Sequence, residues 1–315
     1  VIDALLERFR RLANPGPFGY PWAYHQPGSK GHDKHIVIGC LIHGNEHGTL
    51  PAACEFAERL ARGEINPGGP VTILLGNVAA ALADQRFLEE DFNRVFTFDR
   101  PAASLERRLA ESVRPILDAA DVFLDLHQTQ TPTQRPFWTF PWSRELGDWA
   151  HVLAAAPVAL TRPAGQSFSQ GTCCLDEYVR NRGRVGITAE LGYRGQDPAQ
   201  AEAALAVMGR LVNAVNALEA GTPMQDLVAQ SEPVTFYATA HVVPGLTSDH
   251  KLRPGIENWT YVEENELLSP PDASEVRAPS SGYVLFPKYP KPTDPPPPEL
   301  FRLARKVENL AELDG

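Results

Sequence analysis

Apolar residues fall along this chain in two rhythms, and the points where one gives way to the other mark its elements. The opening residues, Val1-Ile-Asp-Ala-Leu-Leu-Glu-Arg-Phe9, have the spacing of an amphipathic helix. A Gly- and Pro-rich stretch over 14–31 follows. Residues 35–42 then form a nearly continuous apolar run, which predicts a strand buried on both faces. His43-Gly-Asn-Glu46 ends that run, and beyond it Leu50, Ala53, Cys54, Ala57 and Leu60 recur at helical spacing. The pattern predicts a strand, a tight turn and a helix in succession. Further on it predicts strands over 71–75, 121–127 and 185–191, and helices over 104–119 and 198–220. Such alternation predicts an α/β fold whose central sheet carries helices on both faces.

The character of the chain changes at Gly221-Thr-Pro223, after which short β-rich runs appear over 234–243 and 282–286. The expected division is a catalytic unit over 1–222 and a smaller β-rich C-terminal unit over 223–315. Asp294-Pro-Pro-Pro-Pro298 reads as an extended surface segment, because proline cannot donate to a β ladder.

Composition narrows the possible functions. The 315 residues, 43% of them apolar, are enough for a conventional core. No run approaches the ~20 apolar residues of a membrane span, and the opening reads as a helix rather than a signal peptide. A net charge of −10 argues against nucleic acid or anionic membrane as a general partner, although local basic groups can still hold a small anion. Four cysteines without spaced pairing suggest reduced thiols and a cytoplasmic setting.

Three places carry chemistry. His43-x-x-Glu46 and His127 each end a predicted buried strand, and a close pair plus a distant third ligand is the donor set of catalytic zinc sites. The plainer alternative is that His43 and Glu46 only start a helix. Arg86, Asn93 and Arg94 fall in one predicted loop, a candidate anion cradle; taken alone, the loop reads first as solvated arginines paired with Glu89, Glu90 and Asp91. Glu190, at the end of an apolar strand, calls for either a function or a salt bridge. Asp125 projects from the same strand face as His127 and can orient it. Residues 128–135 read as a polar loop at the pocket rim, while Phe137, Trp138, Phe140 and Trp142 read as core or pocket wall. His25, His32, His35, His47, His151, His241 and His250 read as surface or satisfied histidines.

In order and spacing, His43-Gly-Asn-Glu46, Asp91-Phe-Asn93-Arg94-Val-Phe96, Asp125-Leu-His127 and Glu190-Leu-Gly192 resemble the succinylglutamate desuccinylase and aspartoacylase family, relatives of the zinc carboxypeptidases. The resemblance covers about residues 35 to 195. It implies a mixed central sheet of the zinc carboxypeptidase type and one zinc ion per chain, held by His43, Glu46 and His127. It also implies Glu190 as general acid and base, Arg86 polarising the scissile carbonyl, and Asn93 with Arg94 holding a substrate carboxylate. Arg180 falls where aspartoacylases carry another carboxylate-binding arginine. The tyrosine that should accompany it is absent: Asp176 stands at its spacing and Tyr178 is offset. Tyr283 and Tyr289 are the tail's candidates for a further substrate contact.

The expected activity is therefore hydrolysis of the amide bond in an N-acyl amino acid or similar small carboxylate. A zinc carboxypeptidase or peptidoglycan amidase is the second reading, and a non-catalytic metal- or carboxylate-binding protein the third. The oligomeric state, homo-oligomers included, stays open.

Overall fold

Strands with no polar interruption need cover on both faces, and they take the middle of the sheet. The computed structural model describes residues 1–247, 249–290 and 296–313. β1 (Ala23–Gln26), β2 (Ile36–Cys40), β3 (Val71–Leu75) and β4 (Val122–Thr129) build one side. β5 (Phe137–Pro141), β6 (Val158–Arg162) and β7 (Val185–Tyr193) build the centre. The tail adds β8 (Thr235–Val243), β9 (Thr260–Val262), β10 (Gly282–Leu285) and β11 (Phe301–Lys306). Among the described residues these form one eleven-stranded sheet, ordered β1-β3-β2-β4-β7-β5-β6-β8-β11-β10-β9. Pairing is parallel from β3 through β2 and β4 to β7, antiparallel between β7 and β5, and parallel again through β6 to β8. The sheet is thus mixed, as the family resemblance implied.

Helices α1 (Ile2–Leu12), α2 (Leu50–Ala61), α3 (Val78–Leu82) and α4 (Leu105–Ala119) come from the first half of the chain. They are followed by α5 (Arg144–Leu153), α6 (Leu175–Arg180), α7 (Pro198–Glu219) and α8 (Met224–Ala229). Successive strand residues serve opposite faces. Ile36 and Ile38 of β2 join a core with α1, α2, α5 and α7, while Val37 between them joins another with α4 and α6. Helices therefore cover both faces. The aromatic run over 137–142 lies wholly in the interior as β5 and its extension, so its reading as core holds.

The tail has a small core of its own, including Leu252, Val262, Val284 and Phe301. A second cluster ties it to the rest, with Phe137 and Leu160 packed against Tyr237, Trp259 and Leu285. Buried Asn258 works as a clamp. Its Nδ2 donates to the Thr131 and Pro132 carbonyls, and its Oδ1 accepts from the Phe286 amide at 2.7 Å. This pins the rim loop against the tail. That loop starts later than the polar run suggested, because β4 continues through Gln128 and Thr129, both buried.

Among the described residues, no helix is long and apolar enough to cross a membrane. All four cysteines are free and buried. Of the extended segment expected over 294–298, Asp294 and Pro295 lie outside the described residues, while Pro296 and Pro298 are exposed.

Candidate active site

After β2, buried Leu41 adopts a left-handed backbone with φ 53°, a strained choice for a branched residue, and this bend leads the chain into the His43–Glu46 turn. Gly44 is required for a different reason from the sharp turn its sequence position suggests. A Cβ there would come within 2.3 Å of the Ala80 and Ala81 backbone, so only glycine lets the turn lie against α3. Its amide donates to the Arg86 carbonyl at 3.0 Å, which joins the two chemistry-bearing segments. His127 and Glu190 enter from the adjacent parallel strands β4 and β7, near the carboxyl ends where open α/β sheets form their sites.

His43, Glu46 and His127 converge, each only 2% exposed, with their potential ligand atoms within 4.8 Å of one another. Glu46 Oε1 lies 2.8 Å from His43 Nδ1, and Glu46 Oε2 lies 2.9 Å from His127 Nδ1. Burial alone would raise the Glu46 carboxyl, but the two imidazoles outweigh it and hold Glu46 well below the usual range. His43 Nδ1 is buried, with the Glu46 carboxylate as its near neighbour. Two imidazole nitrogens and a carboxylate, all buried and within 4.8 Å of one another, are a donor set that fits a divalent zinc ion.

The far side of each imidazole is also occupied. Asp91 Oδ1 lies 3.1 Å from His43 Nε2, and Asp125 Oδ2 lies 3.0 Å from His127 Nε2. A carboxylate behind each ring fixes its orientation and makes the inner nitrogen a better donor. Asp125 was anticipated for this. Asp91 was not, because it sits in an acidic run that reads as surface pairing. In the structure that run divides: Glu90 pairs with Arg107, Glu89 accepts from the Leu105 amide, and only Asp91 turns inward.

Glu190 is part-buried, yet its Oε2 is enclosed and makes no hydrogen bond among the described residues. Burial pushes its carboxyl up; His127 opposes this and Glu46 adds to it, leaving it at about 7. Among the described residues, no salt bridge explains this residue. Arg86 reaches the same place, with Nη1 donating to Glu46 Oε1 at 3.0 Å and Nη2 pairing with Asp91 at 3.3 Å. Asn93 is anchored through its Oδ1, which accepts from the Leu175 amide at 3.0 Å, and its Nδ2 lies 3.3 Å from His127 Nε2. Arg94 donates to the Asn93 carbonyl and to the Cys174 sulfur, and packs 5.0 Å from the Phe168 ring centre.

These residues line one cavity of about 420 Å³, together with Gln130, Thr139, Arg162, Phe168, Cys174, Asp176 and Thr188. Arg180 is not among its lining residues, because its Nη1 is taken by Asp176 and the Gly186 carbonyl. Tyr178 points elsewhere, donating to Asp118, and Tyr289 donates to the Arg253 and Ile256 carbonyls. The tail contributes Phe286, Pro287, Lys288, Pro298 and Glu299 instead of a tyrosine. No sequence signal distinguished these from other tail residues. Phe168 had none either, yet its ring lies against the guanidinium groups of Arg94, Arg162 and Arg302.

A mixed sheet with a His–Glu–His cluster at its strand ends places the chain among the α/β proteins of zinc carboxypeptidase-like fold. The model of the succinylglutamate desuccinylase/aspartoacylase catalytic domain matches residues 32–218, and the chain belongs to that family of hydrolases. It is 29% identical over 138 residues to the succinylglutamate desuccinylase of Pseudomonas fluorescens (strain SBW25), a match covering 41% of each protein and so less than half of that relative. A longer match, to the succinylglutamate desuccinylase of Ectopseudomonas mendocina (strain ymp), is 23% identical over 260 residues and covers 77% of this chain and 75% of that one. The crystal structure of the Vibrio parahaemolyticus (RIMD 2210633) succinylglutamate desuccinylase superposes with a TM-score of 0.69 at 18% identity, covering 91% of both chains.

Proposed function

We propose that this chain is a zinc-dependent hydrolase that removes the acyl group from an N-acyl amino acid or a similar small carboxylate. The observation that carries this reading is Glu190, a carboxyl with an enclosed, unbonded oxygen standing beside the His43–Glu46–His127 cluster. Zinc held there would supply Lewis acidity, making water a better nucleophile and drawing electrons from a carbonyl. Glu190, raised to about 7, takes a proton from the attacking water and returns it to the leaving amine. Arg86 offers positive charge where the carbonyl oxygen becomes negative. Arg94 holds the substrate carboxylate, and the Asn93 carbonyl, accepting from Arg94 Nη1, positions its guanidinium.

The wall formed by Phe286, Pro287 and Lys288 favours small substrates over a peptide laid along an open groove. A simple binding protein would have no use for an unpaired proton acceptor beside its metal ligands. Purified protein should hold one zinc per chain and hydrolyse members of a panel of N-acyl amino acids, with activity lost to a chelator and restored by zinc. Turnover of C-terminal dipeptides alone, or activity unaffected by chelation, would overturn this reading.

A further inference from the structure

Most of the charge around the cavity is already neutralised within the protein. Arg180 Nη1 donates to Asp176 Oδ2 at 2.5 Å and to the Gly186 carbonyl at 2.6 Å. Arg162 gives Nη2 to Glu177 Oε1 at 3.2 Å and Nε to the Gln166 carbonyl at 2.7 Å. Arg302 grips Glu299 with both Nε and Nη2, at 3.0 and 2.8 Å. Three arginines are thus matched by three carboxylates.

Arg94 is different. Its hydrogen-bond partners are a carbonyl at 2.6 Å and the Cys174 sulfur at 3.2 Å, and no carboxylate pairs with it among the described residues. A thiol orients the guanidinium without cancelling its charge. Lys288 also lines the cavity without an ion pair among the described residues. Part of its surface is exposed, yet burial holds its pKa below the usual lysine value. The charged groups acting on it are Glu299, Arg94, Arg302 and Arg86, whereas those holding Asp176 are Arg180 and Arg162. On the other side of the balance, Asp176 itself lines the cavity. Burial works against its charge, yet Arg180 and Arg162 hold its carboxyl below the usual range, so it stays an anion. Cys174, Thr139, Thr188, Phe168 and Phe286 add only neutral surface.

We propose that the cavity selects substrates with one carboxylate, bound by Arg94, and that whatever part of the substrate meets Asp176 must be uncharged. This rests on the deacylase reading and narrows its substrates to neutral acyl groups on neutral amino acids. A second carboxylate would lie beside that of Asp176, whose own oxygen already takes Arg180 Nη1, while Arg162 Nη2 is given to Glu177. Freeing Arg180 to meet it would leave Asp176 buried and short of a partner, which is costly. A cationic substituent gains little, because two arginines already face Asp176.

Two nearly isosteric pairs isolate charge: N-acetylglutamine against N-acetylglutamate, and N-succinamoylalanine against N-succinylalanine. With zinc-loaded enzyme, kcat/KM should favour the neutral member of each pair by about tenfold or more. Preference for the acidic member of either pair overturns the proposal. If nothing is hydrolysed, the deacylase reading fails separately, and calorimetric binding of the same pairs to the zinc-loaded protein decides this one. Tighter binding of the neutral members upholds it, whereas equal binding, tighter binding of an acidic member, or no binding overturns it. In Asp176→Asn the preference should move at least about tenfold toward the acidic members, because the like charge is gone and Arg180 is released. An unmoved preference in a folded variant counts against the proposal, and the wild-type pairs decide it if that variant does not fold.

Discussion

His127 and Glu190 are register partners on the adjacent parallel strands β4 and β7, so one ladder of backbone hydrogen bonds fixes a proposed zinc ligand and a proposed proton acceptor together. Glu190→Gln keeps the shape and the ladder while removing the base. Its kcat should fall by about 10² to 10⁴, with zinc content and melting temperature close to wild type. Full turnover in the zinc-loaded variant would remove Glu190 from the mechanism.

The protonation of Glu190 sets the sign of the pH dependence. Burial, with Glu46 nearby, raises it to about 7 despite His127 and Arg86, and a bound dication would draw it lower. Only the ionised form accepts a proton, so kcat/KM should rise with pH along a limb whose midpoint is no higher than about 7. Activity that increases as pH falls from about 7 has the opposite sign and would contradict the assignment.

Asp91 should matter to zinc more than to the chemical step. Asp91→Asn removes the charge behind His43 but keeps an acceptor for the Asn93 amide, now 2.9 Å away. Zinc affinity, measured by competition with a chromophoric chelator, should drop by about 10- to 100-fold. An unchanged affinity would show that the 3.1 Å contact is incidental.

What could be read in advance follows from how each residue is held. β2, β3, β4 and β7 are buried on both faces, and their unbroken apolar runs announce them. β1 hides in a Gly- and Pro-rich stretch because it spans only four residues and pairs along one short register with β3. β6 ends in Arg162, whose charge is acceptable only because Glu177, thirteen residues beyond Ala164, folds back to meet it. The His43–Glu46–His127 cluster was legible because His43 and Glu46 are neighbours and His127 lies near the end of a strand. Asp91 and Asp176 were visible as residues, but their partners depend on which way a loop turns, and spacing does not carry that. Arg180 illustrates the point, since its position agreed with the family while Asp176 draws its guanidinium out of the cavity.

Acid stability should depend on His35, far from the chemistry. Burial, with His25 nearby, lowers its pKa to about 4, and Thr72 Oγ1 lies 2.8 Å from Nε2. Unfolded, the imidazole titrates near 6.5, so between those values the unfolded chain binds the extra proton. The stabilising preference for neutral His35 is full above about 6.5 and declines as pH falls toward about 4, by roughly 3 kcal/mol at most. His35→Gln should lose less stability than wild type between pH 7 and pH 4.5 in urea unfolding. Equal losses would exclude His35 as the source.

The parallel pairing of β8 with β6 gives the tail a role unrelated to the substrate. If the chain were cut after residue 222, Val158–Arg162 would keep β5 on one side and face solvent on the other with unpaired amides and carbonyls. An apolar edge of that kind templates pairing with further chains. Phe137 and Leu160 would also lose the Tyr237 and Trp259 rings that cover them. The shortened protein should therefore elute as aggregates in gel filtration even with every proposed zinc ligand intact, and a monodisperse fragment would contradict this. In this chain, one C-terminal segment does both tasks: β8 protects the sheet edge against self-association, and the stretches that follow β10 and precede β11 complete the cavity wall.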